Sequence, residues 1–147
     1  MEGVLGFQDV RTFRESVKGT VRAFGYSTPI TAVAANASIQ ATISIESLSA
    51  FYARTITGQV FDATGLQLDF SAVAQPSIAI QDTTSGAFFE DKDTRWQNLV
   101  GDAEFPHVLR PPILLKPRTT LAVVVTNNAA VGLLFQVTLV GFKSYEA

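Results

Sequence analysis

Hydrophobic and polar residues alternate most cleanly between residues 38 and 46. Ile39, Ala41, Ile43 and Ile45 fall on one side, and Ser38, Gln40, Thr42, Ser44 and Glu46 on the other. A helix would scatter those apolar side chains around its circumference, whereas a pleated strand collects them on one face, so this segment predicts a strand with one wet and one buried side. Weaker versions of the pattern recur. Arg54 to Phe61 sets Ile56 and Val60 against Thr55, Thr57 and Gln59, and Ser77 to Gln81 alternates through Ile78 and Ile80. Thr119 to Thr126 is apolar on both sides, with Leu121, Val123 and Val125 opposed by Ala122 and Val124. That composition belongs to a central strand covered on both faces. Leu133 to Phe142 places Leu133, Phe135, Val137 and Leu139 together. Its other side carries Leu134, Gln136, Thr138, Val140 and Phe142, more apolar than a solvated face needs. Thr20 to Tyr26 reads as a first strand.

Turn-forming residues punctuate these runs. Asp62-Ala63-Thr64-Gly65 and Asp82 to Gly86 are built from residues that accept tight turns or positive φ. Asn127-Asn128 predicts a hairpin between the last two strands. Pro111-Pro112 and Pro117 bracket Ile113-Leu114-Leu115; proline cannot donate to a ladder, so the segment is an edge strand or an extended connector. Many short strands with frequent turns predict an all-β, antiparallel β-sandwich, with a jelly roll as its more specific form.

Two stretches leave this pattern. In residues 1–19, Asp9 is a candidate helix cap, Val10, Phe13 and Val17 are helically spaced, and Gly19 is a stop. The result is a short helix at most, too short to stand alone. The chain therefore divides into an N-terminal arm with a lead-in strand, residues 1–27, and a sandwich, residues 28–147. Residues 87–108 mix Phe88, Phe89, Trp96, Phe105 and His107 with the run Glu90-Asp91-Lys92-Asp93. They read as a long excursion containing one or two short strands, of the kind that carries contacts to partners.

Composition sharpens the functional reading. At 147 residues the chain is long enough for one domain that buries roughly 68–70% of its unfolded surface. Only 16% of residues are charged while 47% are hydrophobic. An average domain carries about a quarter of its residues as charges. Missing charge predicts surface covered by partners, because interface cores are depleted of it. The net charge of −2, with no dense basic patch, argues against specific nucleic-acid binding. No segment approaches the ~20 apolar residues of a spanning helix. The first fifteen residues lack a basic region followed by an apolar stretch, so no signal peptide is expected, and Asn36-Ala37-Ser38 is read as a chance match to a glycosylation acceptor.

Catalytic signals are sparse. There are no cysteines and one histidine, His107, and no G-x-S-x-G elbow, P-loop or dinucleotide fingerprint. Zinc lacks the ligands it normally takes. Glu90, Asp91 and Asp93 offer oxygens but do not match a calcium loop, and Lys92 sits among them. Trp96, Tyr52 and the phenylalanines could build a sugar platform, although core packing is the commoner use of such rings. The expectation is a non-enzyme without cofactor or metal.

From Ser77 onward the order of segments resembles small β-sandwich accessory proteins encoded among tailed-bacteriophage structural genes. The resemblance is carried by PSIAIQDTTSG, AFFE, a loop with Trp96 and Val100-Gly101-Asp102, FPHVLRPPILLKPRTTLAVVVTNNA, and a closing FQVTLVGFKSY. Its last strand ends in a Leu-x-Gly-x-Lys pattern, Leu139 to Lys143. ISIESLSAFYARTITGQVFD similarly resembles their first hairpin. The match covers roughly residues 28–145 and rests on spacing rather than invariant chemistry. It implies a virion protein made in the host cytoplasm, such as a capsid decoration or cement protein. The implied partners are the major capsid protein, other virion proteins and copies of itself. The arm residues Val4, Leu5, Phe7, Val10, Phe13 and Val17 are expected to be buried in a partner, with Phe88, Phe89, Trp96 and Phe105 as loop contacts. The alternative is a carbohydrate- or receptor-binding module of a phage tail or fibre.

Overall fold

The computed structural model describes residues 20–68, 74–89, 94–102 and 106–145. They form nine strands and one turn of helix: β1 (Thr20–Ser27), β2 (Thr31–Val33), β3 (Ser38–Ser44), β4 (Ala50–Phe61), β5 (Ser77–Asp82), β6 (Thr94–Arg95), α1 (Trp96–Leu99), β7 (His107–Leu115), β8 (Thr120–Thr126) and β9 (Leu133–Tyr145). All named strand pairs are antiparallel. One sheet runs β1-β9-β4-β7, with β2 on the same edge of β9 as β1; the other runs β3-β8-β5-β6. The two pack face to face as an all-β sandwich.

Alternation decides what lies between the sheets. From the four-stranded sheet come Ala41 and Ile43 of β3, Leu121, Val123 and Val125 of β8, and Ile78 and Ile80 of β5. The five-stranded sheet answers with Phe51, Ala53, Ile56 and Val60 of β4 and Leu133, Phe135, Val137 and Leu139 of β9. Phe51, Phe135, Leu121 and Leu139 are wholly out of water, and fully burying such a side chain is worth about 1.5–3 kcal/mol relative to leaving it exposed. As its composition predicts, β8 is central. Pro111 and Pro112 fall on β7, the edge of the five-stranded sheet, where a missing N–H costs least, and Pro117 lies just past its end.

The predicted start of the fourth strand at Arg54 is too late, because β4 begins at Ala50. A β-bulge explains the error. Ala53 pairs with Gly141 and Thr55 with Val140, which leaves Arg54 as an extra residue. Inward positions therefore fall at Phe51 and Ala53 before the bulge but at Ile56 and Val60 after it, and no single period-two register describes both halves. Gly141 accommodates the bulge, since a Cβ there would lie 1.9 Å from the Tyr52 carbonyl oxygen.

Two expected hairpins are instead crossovers between sheets. β8 belongs to the four-stranded sheet and β9 to the five-stranded one. Asn127, wholly buried, pins the crossing: its Nδ2 donates to the carbonyls of Ala34 (3.2 Å) and Val131 (2.7 Å), and its Oδ1 accepts from Ala129 N (2.9 Å). Asn here satisfies backbone that has left a ladder, a role its sequence shares with hairpin turns. Likewise β3 and β4 lie in different sheets, so residues 43–62 cross rather than fold back. On the far edge of β9 the interruption between β1 and β2 is bridged by Thr28, whose N–H donates to Val137 O (2.9 Å) and whose hydroxyl accepts from Val137 N (3.0 Å).

Candidate functional site: the outer faces of the sandwich

Strand register places Ser38, Gln40, Thr42 and Ser44 of β3 beside Thr126, Val124, Ala122 and Thr120 of β8. Ser77, Ala79 and Gln81 of β5 continue these rows. Because the neighbouring positions point into the core, these eleven side chains form the outer face of β3, β8 and β5, and none is charged; exposed Arg95 of β6, paired with Ser77, brings one charge to the edge of that face. Small residues keep it flat, with Ala79 and Ala122 sunk between their neighbours at 7% and 5% exposure. Ser38 and Thr126 join hydroxyl to hydroxyl across the strands at 2.7 Å, a cross-strand pair of the kind that stabilises sheets.

The outer face of the five-stranded sheet has two halves. Near the β2 end it is polar: Ser27, Thr138, Gln136, Thr57 and Gln59 line up across β1, β9 and β4, and Ser27 bonds Thr138 at 2.7 Å. Toward Tyr145 it is apolar. Val21 and Ala23 of β1, Val140 and Phe142 of β9, Tyr52 of β4 and Leu114 of β7 share this side. Val140 and Leu114 are exposed. Among the described outward positions of β1, β9 and β4, Arg54 is the one charged side chain, and its guanidinium lies 5.8 Å from the centre of the Phe142 ring, close enough for a cation–π contact. A shallow apolar cleft of about 390 Å³ opens here, lined by Ala23, Arg54, Thr55, Val140, Gly141 and Phe142.

A more polar cleft of about 330 Å³ lies where Gly101 runs beside Thr57 and Leu68 bonds back to Val60. Gln59, Gln67, Gln97 and Asp102 line it, with Trp96 at its floor. Trp96 is 3% exposed and stacks edge-on against Phe135, so its ring faces are already used by the core.

The other predicted contact residues separate. Phe88 is half exposed beside the Asp82–Gly86 turn, Phe89 packs against the core, and Phe105 lies outside the described residues. So do the arm residues Val4, Leu5, Phe7, Val10, Phe13 and Val17, and the acidic run at 90–93. His107 opens β7, half-buried opposite Ile56. Among the described residues no three His, Asp or Glu side chains converge as metal ligands, and no helix is long and apolar enough to cross a membrane.

The Leu-x-Gly-x-Lys pattern has a packing explanation. Leu139 is core and Gly141 makes room for the bulge. Lys143, 2% exposed, sends its ammonium to Glu46 Oε1 at 2.5 Å and over the Phe24 ring at 3.4 Å. Periodicity could not find Lys143, since a lysine on an inward position contradicts the pattern until its partners are seen. No protein-family model matches the sequence, and no curated protein matches it.

Proposed function

We propose that this chain is a non-enzymatic structural protein of a tailed-phage virion, most specifically a capsid decoration or cement protein. On this reading it binds the major capsid protein, or other virion proteins and its own copies, through repeated contacts. The observation that carries the reading is the near absence of charge from the described outward positions of β3, β8 and β5 in one sheet and of β1, β9 and β4 in the other. A free-standing domain meets water with charged side chains, whereas faces of Ser, Thr, Gln, Ala and Val beside an apolar patch have the composition of surfaces meant to be covered. The strand order supports it too. Reading β1 and β2 as one broken strand, the sheets follow the eight-strand order of a jelly roll, an architecture used in viral capsids and in lectins. Repetition lets individually weak contacts hold a particle together.

The polar cleft beside Trp96 favours the second reading, a carbohydrate- or receptor-binding module. Against it stands the burial of Trp96, which leaves no free ring face for a sugar to stack on. Two measurements separate the readings. A decoration protein is found in purified particles at a stoichiometry that matches a symmetry of the shell, and particles lacking it lose resistance to heat or chelation. A lectin-like module gives saturable glycan binding as an isolated protein, abolished by Gln97→Ala or Asp102→Ala. Absence from purified particles would overturn the virion reading.

A further inference from the structure

We propose that β3 pairs, antiparallel and edge to edge, with β3 of a second copy of this chain, so that two four-stranded sheets join into one. The inference deepens the assembly reading above, on which it rests, by naming the surface at which copies meet. β3 ends its sheet, with β8 on one side and no described strand on the other. Two hydrogen bonds that continue the β3–β8 register fix which way its backbone groups point. Asn127 N–H donates to Ala37 O (2.8 Å), and Ile45 N–H donates to Thr119 O (2.9 Å). Odd-numbered residues therefore bond β8, and the N–H and C=O groups of Ser38, Gln40, Thr42 and Ser44 face the free side. The open row stops there at both ends. Asn36 N–H goes to Ala129 O (3.2 Å), and Glu46 N–H goes to the Tyr26 hydroxyl (3.3 Å).

The other described edges carry devices that discourage such pairing. β7 holds Pro111 and Pro112, β6 is two residues long and ends in Arg95, and β1 carries exposed Arg22 and Gly25. Proline, charge and shortness each blunt a sheet edge. β3, with the sequence SIQATIS, has no proline, glycine, charge or bulge, the make-up of a segment that adds to another strand. The occupant is a second copy because the row is complementary to itself. Turned about a two-fold axis through Ala41, Ser38 comes opposite the partner's Ser44 and Gln40 opposite the partner's Thr42. Four such residue pairs exchange two bonds each, eight in all, close to the roughly ten direct bonds of a typical interface. Side chains agree with the backbone. Hydroxyls and amides meet on the outer face, while half-buried Ile39 meets the partner's Ile43 on the inner one. Glu46, the nearest charge along the chain, falls beside the partner's Asn36 and not beside another carboxylate. The contact is isologous and closes as a dimer, and it doubles the width of the sparsely charged outer face.

Charge swaps in the full-length chain test both the edge and its register. Sedimentation velocity should show the wild type as a dimer. Amide hydrogen exchange at Gln40, Thr42 and Ser44 should slow as concentration rises, while Ala41 and Ile43, bonded to β8, exchange slowly throughout. Gln40→Lys with Thr42→Lys sets like charges opposite each other and should weaken the dimer roughly tenfold or more. Gln40→Glu with Thr42→Glu should do the same, and an equimolar mixture of the two should recover a one-to-one pair. Leu114→Glu, exposed on edge strand β7 of the other sheet, should pair as the wild type does. If circular dichroism shows a double variant misfolded, Thr42→Pro takes its place, because it deletes an N–H aimed at the free side and none that β8 uses. Four results overturn the proposal: a wild type that stays monomeric at its highest soluble concentration, a dimer whose Gln40 and Thr42 amides exchange as fast as in the monomer, edge variants that pair like wild type, or a mixture that gives no pair. Particle incorporation is read separately. A wild type that pairs in solution but is missing from purified particles removes the virion reading and leaves the pairing. One that enters particles yet stays monomeric in solution removes the pairing and leaves the virion reading.

Discussion

Glycine at 141 is required by backbone alone. A Cβ there would sit 1.9 Å from Tyr52 O, 2.9 Å from Tyr52 C and 3.1 Å from Arg54 N, none of which is a flexible side-chain end. Gly141→Ala should therefore cost about 3 kcal/mol or more, in the upper range of overpacking, measured by urea unfolding. Gly65→Ala is the comparison: its φ is +88° but nothing lies within 4 Å of a new Cβ, so only the left-handed backbone is penalised, by about 1–2 kcal/mol. Asn127→Ala removes the donor of the Ala34 and Val131 carbonyls and the acceptor of Ala129 N–H inside a buried crossover. A loss of about 2–4 kcal/mol is expected, with early hydrogen exchange of the Ala129 amide. Asp62 makes a pH prediction. Its Oδ1 accepts from the Thr64 hydroxyl at 2.6 Å, and from the N–H groups of Leu66 and Thr64. These bonds hold its carboxyl below the ordinary 3.8. A folded value below the unfolded one means the turn is favoured above about pH 4 and loses that support as pH falls through the lowered value. Amide shifts of Thr64 and Leu66 should titrate with a midpoint below 3.8, and Asp62→Asn should abolish the titration.

Among the elements, β3, β5, β8 and β9 were legible because their inward residues are apolar and strictly alternating, as Ile39 to Ile45 are. β4 was legible only after Arg54, since the bulge reverses which parity faces the core. The crossovers were not legible at all. Asn127 and the Glu46-Ser47-Leu48-Ser49 connection carry turn-like residues, and local chemistry cannot say whether the next strand returns to the same sheet or joins the opposite one. The outer faces were half legible: the surplus of Val140 and Phe142 on β9 was visible, but their neighbours Val21, Tyr52 and Leu114 come from distant strands whose register only the fold supplies. The same holds for the end of β9, where Lys143 meets Glu46 from the β3–β4 crossover and Phe24 from β1. Breaking a pair whose ammonium is buried is costly, though Glu46 keeps 48% of its side-chain surface in water, which weakens its share. Glu46→Gln should lower stability by about 1–2 kcal/mol in thermal or urea unfolding. Lys143→Met, which fills the same volume without a charge, should cost less than Lys143→Ala.

At the scale of the whole molecule, a hydrophobic core between two sheets accounts for folding but leaves the outer faces unexplained, and it is on those faces that function is read. Under the proposed virion reading their sparse charge is the feature that matters most, because flat faces of small polar and apolar residues suit repeated contact with neighbours. One dimension of the fold has a practical corollary. β4 spans twelve residues, with Ala50 opposite Ser144 at one end and Phe61, next to the Asp62–Gly65 turn, at the other, a separation of roughly 35–40 Å at the rise of an extended strand. The two poles of the molecule are thereby set a known length apart. A peptide tag inserted between Thr64 and Gly65 would ride at the pole opposite the start of β1, and, if the proposed virion role holds, antibody labelling of such tags on intact particles would read which pole faces outward.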